Sequence, residues 1–530
     1  MKGRKTVPSD DSRLLLKGAF ILTIAATITK ILSAVYRVPF QNIVGDIGFY
    51  IYQQVYPIYG IAIALATYGF PVIISKMVAD AEAKEELDSH HIVQASFIVL
   101  GILGLFFFSI VFFGSTLIST WMGDPNLAPL IKVVAFSFLL MPFISTIRGY
   151  FQGKGEMLPT AVSQVQEQFI RVTLILLISF ILVKQGASLY EVGSNAILSS
   201  VIGSLTALLV LFIFYLRNKR KKITSLKFKG VYKVVAKKLL IQGLAVCISG
   251  ALLVLFQFVD ALNIFTLLIK SGVEIERAME LKGVFDRGQP LIQLGTVVAT
   301  SFSLTLVPVL TSNRRKDSQY AIAEKVNISI KFSIIVGLGA TVGMICIMEP
   351  TNTMLFSNNE GSDVLKVFAI SVLFSSMILT MIGILQGFGY LLAPAKYIII
   401  GVFCKFIGNY VLVQKLGTMG ASISTILALM VILGLCIYKF KCIGIKLLSG
   451  LFYMKIFICA FLMAIILRAW TSFFELFHLT TRAWSIVDAL GGVCVGGALY
   501  LFMIGTFNLL NERELNNIPF GKFLLRMRFK

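Results

Sequence analysis

Apolar runs long enough to cross a bilayer follow one another along almost the whole chain. A transmembrane helix needs about 20 mostly apolar residues, and runs of this kind alternate with short polar connections. Lipid admits only helices or closed barrels, and the period-two alternation of β-strands is absent. The pattern therefore predicts about fourteen membrane-spanning helices. Their predicted positions are roughly 16–38, 48–74, 92–118, 127–150, 158–183, 189–216, 238–262, 282–311, 326–348, 364–388, 394–413, 418–438, 453–475 and 484–508.

A constant spacing relates several residues in the two halves of the chain. In each matching pair, the second residue follows the first at the same distance that separates position 48 from position 283. The matching segments are therefore six predicted helices apart along the chain. An even number of helices means that both halves enter the membrane in the same direction, as parallel repeats. The matching pairs are Gly48 and Gly283, Gln54 and Gln289, Gly60 and Gly295, and Pro159 and Pro394.

The repeat predicts an all-α polytopic membrane protein with three parts. An N-terminal six-helix lobe covers 1–237, and a C-terminal six-helix lobe covers 238–440. Two extra transmembrane helices and a basic tail occupy 441–530. In transporters built from repeats, the substrate site lies between the halves near the middle of the bilayer.

Composition supports the membrane assignment and changes the interpretation of the charge. The chain is 57% hydrophobic and 14% charged, with a mean hydropathy of +0.86, whereas a soluble domain is about 25% charged. A net charge of +22 would suggest nucleic acid in a soluble protein. Here Lys and Arg concentrate in alternate short loops, above all 217–238, so topology explains them and no nucleic-acid partner is predicted. Both termini are predicted to be cytoplasmic.

The chain carries no recognisable enzyme or metal motif. The seven cysteines form neither a CxxC pair nor a zinc spacing, and the three histidines have no acidic or cysteine partners at metal-ligand spacing. The lysine motif of a phosphate-binding loop is also absent. We therefore predict a non-enzymatic protein without cofactor or metal. The first apolar run is interrupted by Lys30 and is interpreted as a retained helix, not a cleaved signal.

Ionisable residues in the first predicted helix are the first candidate site. Lys30 and Arg37 are seven residues apart, nearly two turns, so both point to one face. Such residues usually face a cavity or a partner. Arg37 lies near a helix end and could instead extend toward the membrane interface. Lys30 lies nearer the middle, where this alternative is less available.

The fifth predicted helix carries a polar stripe. Gln164, Glu167, Gln168 and Arg171 recur at helical spacing and share one face. Glu167 and Arg171 are four residues apart and are predicted to form an ion pair. The stripe indicates a hydrated cavity, with a purely structural polar seam between helices as the alternative.

Further polar residues lie in the second, eighth and eleventh predicted helices. They are Gln53, Gln289 and Lys405, together with Asp286 and Arg287 at the start of the eighth helix, where Arg287 could simply cap the interface. The deep ionisable groups lean positive, and a cationic cavity of low dielectric attracts anions. Arg and Lys are the residues that bind phosphate. The pattern therefore predicts an anionic, phosphate-bearing substrate.

Several segments resemble the stage V sporulation protein B group. They are Arg148-Gly149-Tyr150-Phe151-Gln152-Gly153, Met157-Leu158-Pro159-Thr160-Ala161, Pro57-Ile58-Tyr59-Gly60 and Asp286-Arg287-Gly288-Gln289-Pro290. That group belongs to the polysaccharide and lipid-linked oligosaccharide exporters of the MATE/MOP superfamily, and it is similar to the MurJ lipid II flippases. The resemblance covers nearly the whole chain.

The resemblance implies that the protein flips an undecaprenyl-pyrophosphate-linked sugar across a bacterial plasma membrane by alternating access. It implies that Lys30, Arg37 and Arg287 bind the pyrophosphate. The wider predicted site adds Gln53, Gln164, Glu167, Arg171, Gln289 and Lys405. Some proteins of the MurJ type bind sodium in the C-terminal half, but Lys405 stands where a carboxylate would be expected. Expected partners are the lipid-linked glycan and membrane lipids, with cell-wall synthesis enzymes as a further candidate, and the chain is expected to be a monomer.

Two other functions remain open at this stage. A MATE-type exporter of small organic cations would need carboxylates inside the membrane. A non-transporting scaffold for wall-synthesis enzymes would leave the intramembrane charges unexplained. Arg468 and Asp488, in the last two predicted helices, could pair with each other or line a lipid-facing groove.

Overall fold

The structure is a computed structural model that describes residues 10–84, 89–217, 228–297, 319–445, 450–479, 481–511 and 514. Every regular element within these ranges is helical, and they contain no strand. The predicted all-α class is therefore confirmed. The predicted basic loop falls partly outside these ranges, as do the second half of the eighth predicted helix and the C-terminal tail.

The described residues of the first part of the chain form eleven helices. They are α1 (Asp10–Val35), α2 (Arg37–Ala64), α3 (Phe70–Lys84), α4 (Ser89–Phe113), α5 (Ser115–Trp121), α6 (Ala128–Gly153), α7 (Leu158–Lys184), α8 (Leu189–Arg217), α9 (Phe228–Lys237), α10 (Leu244–Gly250) and α11 (Leu252–Lys270). Two π-helical turns, Leu65–Gly69 and Lys238–Gly243, join α2 to α3 and α9 to α10. The second predicted helix, 48–74, is thus interrupted at the π-helical turn Leu65–Gly69.

The remaining helices follow in the same manner. They are α12 (Ile275–Asp286), α13 (residues 288–297), α14 (Gln319–Cys346), α15 (Met348–Phe356), α16 (Ser362–Ala369), α17 (Ser371–Gly387), α18 (Leu392–Cys442), α19 (Gly450–Leu476) and α20 (Arg482–Thr506). The tenth predicted helix is divided at Ile370 into α16 and α17, whereas the ninth corresponds to α14 and is followed, after Ile347, by the additional short helix α15.

Eleven helical segments in the described ranges are long and apolar enough to cross a membrane. Two of them, Phe20–Ala83 with 64 residues and Leu392–Cys442 with 51, would be roughly 80–100 Å long at 1.5 Å per residue, against a hydrocarbon core of about 30 Å. Each contains a glycine in a non-helical conformation, Gly45 with φ 71° and Gly417 with φ 57°. Both glycines lie between helices that the sequence predicts as separate. The count of fourteen remains a prediction.

The helices group into two compact units. Unit 1 consists of Met1–Thr266 and Tyr390–Val402, and unit 2 consists of Leu267–Gly389 and Phe403–Lys530. The predicted division into lobes at 1–237, 238–440 and 441–530 remains a prediction.

Close helix packing in unit 1 depends on small residues. A Cβ atom added at Gly203 of α8 would lie 2.9 Å from the Glu167 carbonyl oxygen and 3.0 Å from Arg171 Cβ. A Cβ atom added at Gly149 of α6 would lie 2.6 Å from Ile74 Cβ on α3. Small residues let membrane helices approach closely. As a result, α8 packs directly against the stretch of α7 that carries the polar stripe.

In unit 2, α14 packs against α17 and α19, and α15 packs against α20. The last two helices, α19 and α20, pack against each other. Leu291, Met348, Leu365 and Ala369 form a buried apolar cluster between α13, α15 and α16.

Candidate functional site

Three arginine side chains are buried in unit 1. Arg37 begins α2, Arg148 lies on α6 and Arg171 lies on α7, and their exposed fractions are 1%, 1% and 0%. Arginine is almost never fully buried unless it is paired. Inside a membrane protein such a residue marks a functional or structural site. The three residues differ in what surrounds their charge.

Arg148 is neutralised by a complete set of partners. Its Nη2 atom donates to Glu167 Oε2 at 2.9 Å, Nη1 to Thr67 Oγ1 at 3.0 Å and Nε to Ser163 Oγ at 3.2 Å. The second carboxylate oxygen, Glu167 Oε1, accepts a hydrogen bond of 2.9 Å from Ser204 Oγ. Charge-assisted hydrogen bonds of this kind stabilise a buried ion pair. This network holds α6, α7 and α8 together.

The predicted ion pair between Glu167 and Arg171 is wrong. Both residues lie on the buried face of α7, as the stripe predicts, but the carboxylate points to Arg148 on α6. Arg171 instead donates from Nη2 to Ser33 Oγ on α1 at 3.3 Å. Proximity on one helix did not determine the pairing, because the guanidinium of Arg148 on the neighbouring helix α6 reaches the carboxylate.

Arg37 and Arg171 lie among tyrosine rings. The guanidinium carbon of Arg37 is 4.4 Å from the ring centroid of Tyr56. The guanidinium carbon of Arg171 is 5.1 Å from Tyr36, 5.9 Å from Tyr56 and 5.4 Å from Tyr59. A cation over an aromatic face within about 6 Å is attracted by the ring quadrupole. Both arginines therefore share the ring of Tyr56.

The charges of Arg37 and Arg171 have no counter-charge in the part of the chain that the structure describes. Neither residue forms a salt bridge there, and Nε and Nη1 of both have no hydrogen-bond partner. Buried N–H groups without acceptors are costly. Two adjacent guanidinium groups with unused donors are the arrangement that binds an oxygen-rich anion.

The other predicted site residues of unit 1 are also inside the unit. Gln53 and Gln164 are buried, and Gln53 Oε1 has no hydrogen-bond partner among the described residues. Lys30 is half-buried on α1. The burial of Arg37 does not fit the alternative in which its side chain extends to the interface.

In unit 2, Arg287 is fully buried and anchored to the end of α15. Its Nη1 atom donates to Asn358 Oδ1 at 2.7 Å and to Asn352 Oδ1 at 3.4 Å. Its guanidinium carbon lies 5.1 Å from the centroid of Phe356. Gln289 is buried two residues further along the chain.

Two further lysines of unit 2 are fully buried. Lys282 donates to both carboxylate oxygens of Asp286, at 2.7 and 2.6 Å, so Asp286 has a counter-charge. Sequence reasoning missed Lys282, although its four-residue spacing from Asp286 is visible in the chain. Lys405 donates to Thr425 Oγ1 at 2.6 Å, and Asn409 accepts a hydrogen bond from Ser424. Within the described ranges no three His, Cys, Asp or Glu side chains are grouped closely enough to hold a metal ion.

Comparison with known proteins identifies the family of the chain. Residues 15–314 match the family described as polysaccharide biosynthesis protein. The uncharacterized membrane protein YabM of Bacillus subtilis (strain 168) is 44% identical over 512 residues, covering 96% of this chain and 95% of the relative. The lipid II flippase MurJ of the same organism is 26% identical, covering 93% and 95%. Stage V sporulation protein B of that organism is also 26% identical, covering 96% and 99%.

Solved structures show the same fold. The lipid II flippase MurJ in an inward closed conformation matches with a TM-score of 0.63 and 15% identity, covering 91% of this chain and 98% of that chain. An inward-facing multidrug resistance MATE family transporter of the MOP superfamily matches with a TM-score of 0.62 and 17% identity, covering 78% and 93%. The chain therefore belongs to the polysaccharide biosynthesis protein family, and it is a multi-pass membrane protein with the fold of these two solved structures.

Proposed function

We propose that this protein flips an undecaprenyl-pyrophosphate-linked cell-wall or polysaccharide precursor, similar to lipid II, across a bacterial plasma membrane. The observation that supports this proposal is the burial of Arg37 and Arg171 around Tyr56 without a carboxylate partner among the described residues. The name of one relative, lipid II flippase MurJ, points to the same class of substrate.

Pyrophosphate suits this pair of arginines. Its oxygens accept hydrogen bonds from a guanidinium in a two-pronged arrangement, and a buried site strengthens the attraction between opposite charges. Each charge-assisted hydrogen bond contributes about 1.5–3 kcal/mol. In the proposed site Arg37 and Arg171 bind the pyrophosphate, with Lys30 on the preceding helix as a third cation.

The remaining predicted residues take other parts in this proposal. Gln53 and Gln164 of unit 1 offer amide groups to the sugar or phosphate oxygens. Glu167 keeps Arg148 in place and does not contact the substrate, since both of its oxygens are already used. Arg287 of unit 2 is proposed to bind the pyrophosphate because the family resemblance implies it, and Gln289 and Lys405 are proposed as further site residues because they are polar and buried.

The two alternative functions have less support. An exporter of organic cations requires a buried carboxylate available to the substrate, whereas Glu167, the carboxylate of the polar stripe on α7, is neutralised by Arg148. A scaffold without transport gives no reason to bury Arg37 and Arg171 without a counter-charge among the residues that the structure describes. The proposed transport cycle is alternating access between the two predicted lobes, with both termini in the cytoplasm.

Two substitutions test the proposed site. We expect Arg37→Gln and Arg171→Gln each to lower the rate of lipid II flipping in reconstituted vesicles at least tenfold, because each removes charge-assisted contacts of about 1.5–3 kcal/mol. Neither variant should rescue growth when a lipid II flippase is depleted. Arg217→Gln, at the exposed end of α8, is the matched control and should keep the wild-type rate. Wild-type flipping by both core variants, at equal protein levels in the membrane, would overturn the proposal.

A further inference from the structure

A second polar pocket lies in unit 2, outside the proposed substrate site. Its volume is about 350 Å³, and α15, α16, α19 and α20 line it. Small-molecule pockets have volumes of about 300–1,000 Å³, so it can hold a group of a few heavy atoms. Its charged lining residues are Glu349, Lys366, Arg468, Glu475 and Asp488.

Three carboxylates and two cations line this pocket, and the pairing leaves one carboxylate over. Lys366 Nζ lies 2.5 Å from Glu349 Oε1, and Arg468 Nη1 lies 3.3 Å from Glu475 Oε1. Of the two alternatives left open for Arg468 and Asp488, the pairing with each other is not formed, although both residues line the same pocket. Asp488 has no salt bridge within the described ranges.

The buried Asp488 side chain has a carboxylate oxygen that could accept a hydrogen bond from a bound group. Its side chain is 6% exposed, and Oδ1 has no hydrogen-bond partner in the part of the chain that the structure describes. A buried carboxylate oxygen without a donor is costly and points to a missing partner. A group that carries both a positive charge and N–H donors would satisfy it.

The same pocket also offers a site for an anion. The Arg468 side chain is 64% exposed, and its ion pair with Glu475 uses Nη1 only, at 3.3 Å. A guanidinium has five N–H donors, so Arg468 can also bind a phosphate oxygen. The pocket thus presents an acceptor for an ammonium group and donors for a phosphate group.

Its position indicates a lipid as the source of these groups. The pocket lies near the connection between α19 and α20, where Phe473, Phe477 and Trp484 are 54%, 58% and 44% exposed. Trp470 donates from Nε1 to the Asp488 carbonyl oxygen at 3.1 Å. Tryptophan side chains concentrate at the level of the lipid headgroups, and Trp470 and Trp484 lie on the two helices α19 and α20 that line the pocket. We therefore expect the pocket to lie at the level of the phospholipid headgroups.

We propose that this pocket binds the ethanolamine-phosphate headgroup of a bilayer phospholipid. The ammonium group donates to Asp488 Oδ1, and the phosphate accepts hydrogen bonds from Arg468. The acyl chains lie along the exposed aromatic side chains of α19.

The headgroup chemistry can be tested on the wild-type protein in detergent. Thermal melts with added short-chain phospholipids should show stabilisation by phosphatidylethanolamine at concentrations about tenfold lower than for phosphatidylcholine, whose quaternary ammonium has no N–H to donate. Equal stabilisation by these two lipids, or by phosphatidylglycerol, would overturn the proposal. If soluble phosphoethanolamine stabilised the protein at the same concentration as phosphatidylethanolamine, the assignment to a lipid would be overturned.

A substitution then locates the site. Asp488→Asn should remove the preference for phosphatidylethanolamine over phosphatidylcholine, measured by the same melts and by native mass spectrometry of retained lipid. Asp363→Asn is the matched control, because Asp363 is 85% exposed and does not line the pocket; it should keep the preference. A preference that persists in a folded Asp488→Asn variant would contradict the proposed contact.

Discussion

Glu167→Gln is expected to destabilise unit 1 because it leaves the Arg148 guanidinium buried without its counter-charge. The side chains of the pair are 1% and 7% exposed, and their ion-pair distance is 2.9 Å. Removing one member of a buried pair costs about 3–5 kcal/mol, since the remaining charge keeps its desolvation penalty. At roughly 2–4 °C per kcal/mol, the melting temperature should fall by about 6–20 °C.

Combining Glu167→Gln with Arg148→Gln distinguishes the cost of an unpaired charge from the cost of lost contacts. Arg148→Gln alone leaves the carboxylate unpaired and should cost a similar amount. The combination of Glu167→Gln with Arg148→Gln removes both charges, so its loss should be smaller than the sum by about 1–3 kcal/mol. The amide groups can still exchange hydrogen bonds with Ser163 and Ser204.

A parallel cycle with Arg171 provides the control. Glu167→Gln and Arg171→Gln should show a smaller coupling, because Arg171 contacts Ser33 and the tyrosine rings in place of the carboxylate. The measurement is a set of thermal melts of purified protein in one detergent. A larger coupling for Glu167 with Arg171 than with Arg148 would refute the pairing described above.

Two further predictions concern the backbone and the topology. Gly417→Ala should lower the melting temperature in the same assay, because φ 57° with ψ −141° costs an L-residue about 1–3 kcal/mol; Gly434→Ala, in open space on the same helix, should not lower it. In intact cells Asn359→Cys should react with an impermeant thiol reagent, and Glu156→Cys should react only after permeabilisation. Labelling of position 156 from outside would invert the predicted orientation.

Hydrophobic patterning predicted much of the fold. The predicted helices at 158–183 and 189–216 end within one residue of α7 and α8, because their apolar runs are bounded by polar connections. The breaks inside the other helices were not predicted. The π-helical turn Leu65–Gly69 is an example. A Cβ atom at Gly69 would lie only 1.8 Å from Cys247 Sγ, so this turn packs against a helix about 180 positions away in the chain.

The sequence predicted which residues of α7 are buried, but it did not predict which residues they pair with. The spacing of Gln164, Glu167 and Arg171 correctly indicated one buried face of α7. The partner of Glu167 could not be found from spacing on one helix, because Arg148 belongs to α6. The contacts between Arg171 and the surrounding tyrosine rings could not be predicted either. An apolar-rich sequence does not indicate which aromatic ring will pack against a given cation.

In the proposed function, the surroundings of Arg37 and Arg171 suit a site that is alternately empty and occupied by an anion. Arg148 shows that this packing can pair a buried arginine with a carboxylate, so it is not a general property of the unit that Arg37 and Arg171 have no counter-charge among the described residues. Cation–π contacts contribute about 0.5–2 kcal/mol each, less than the charge-assisted hydrogen bonds that a phosphate would add. The tyrosine rings, including Tyr56, can therefore stabilise the arginines when the site is empty without competing strongly with an anion. A carboxylate in their place would stabilise the empty site more but would repel the substrate, whereas a cycle that alternates between loaded and empty states needs both to be accessible.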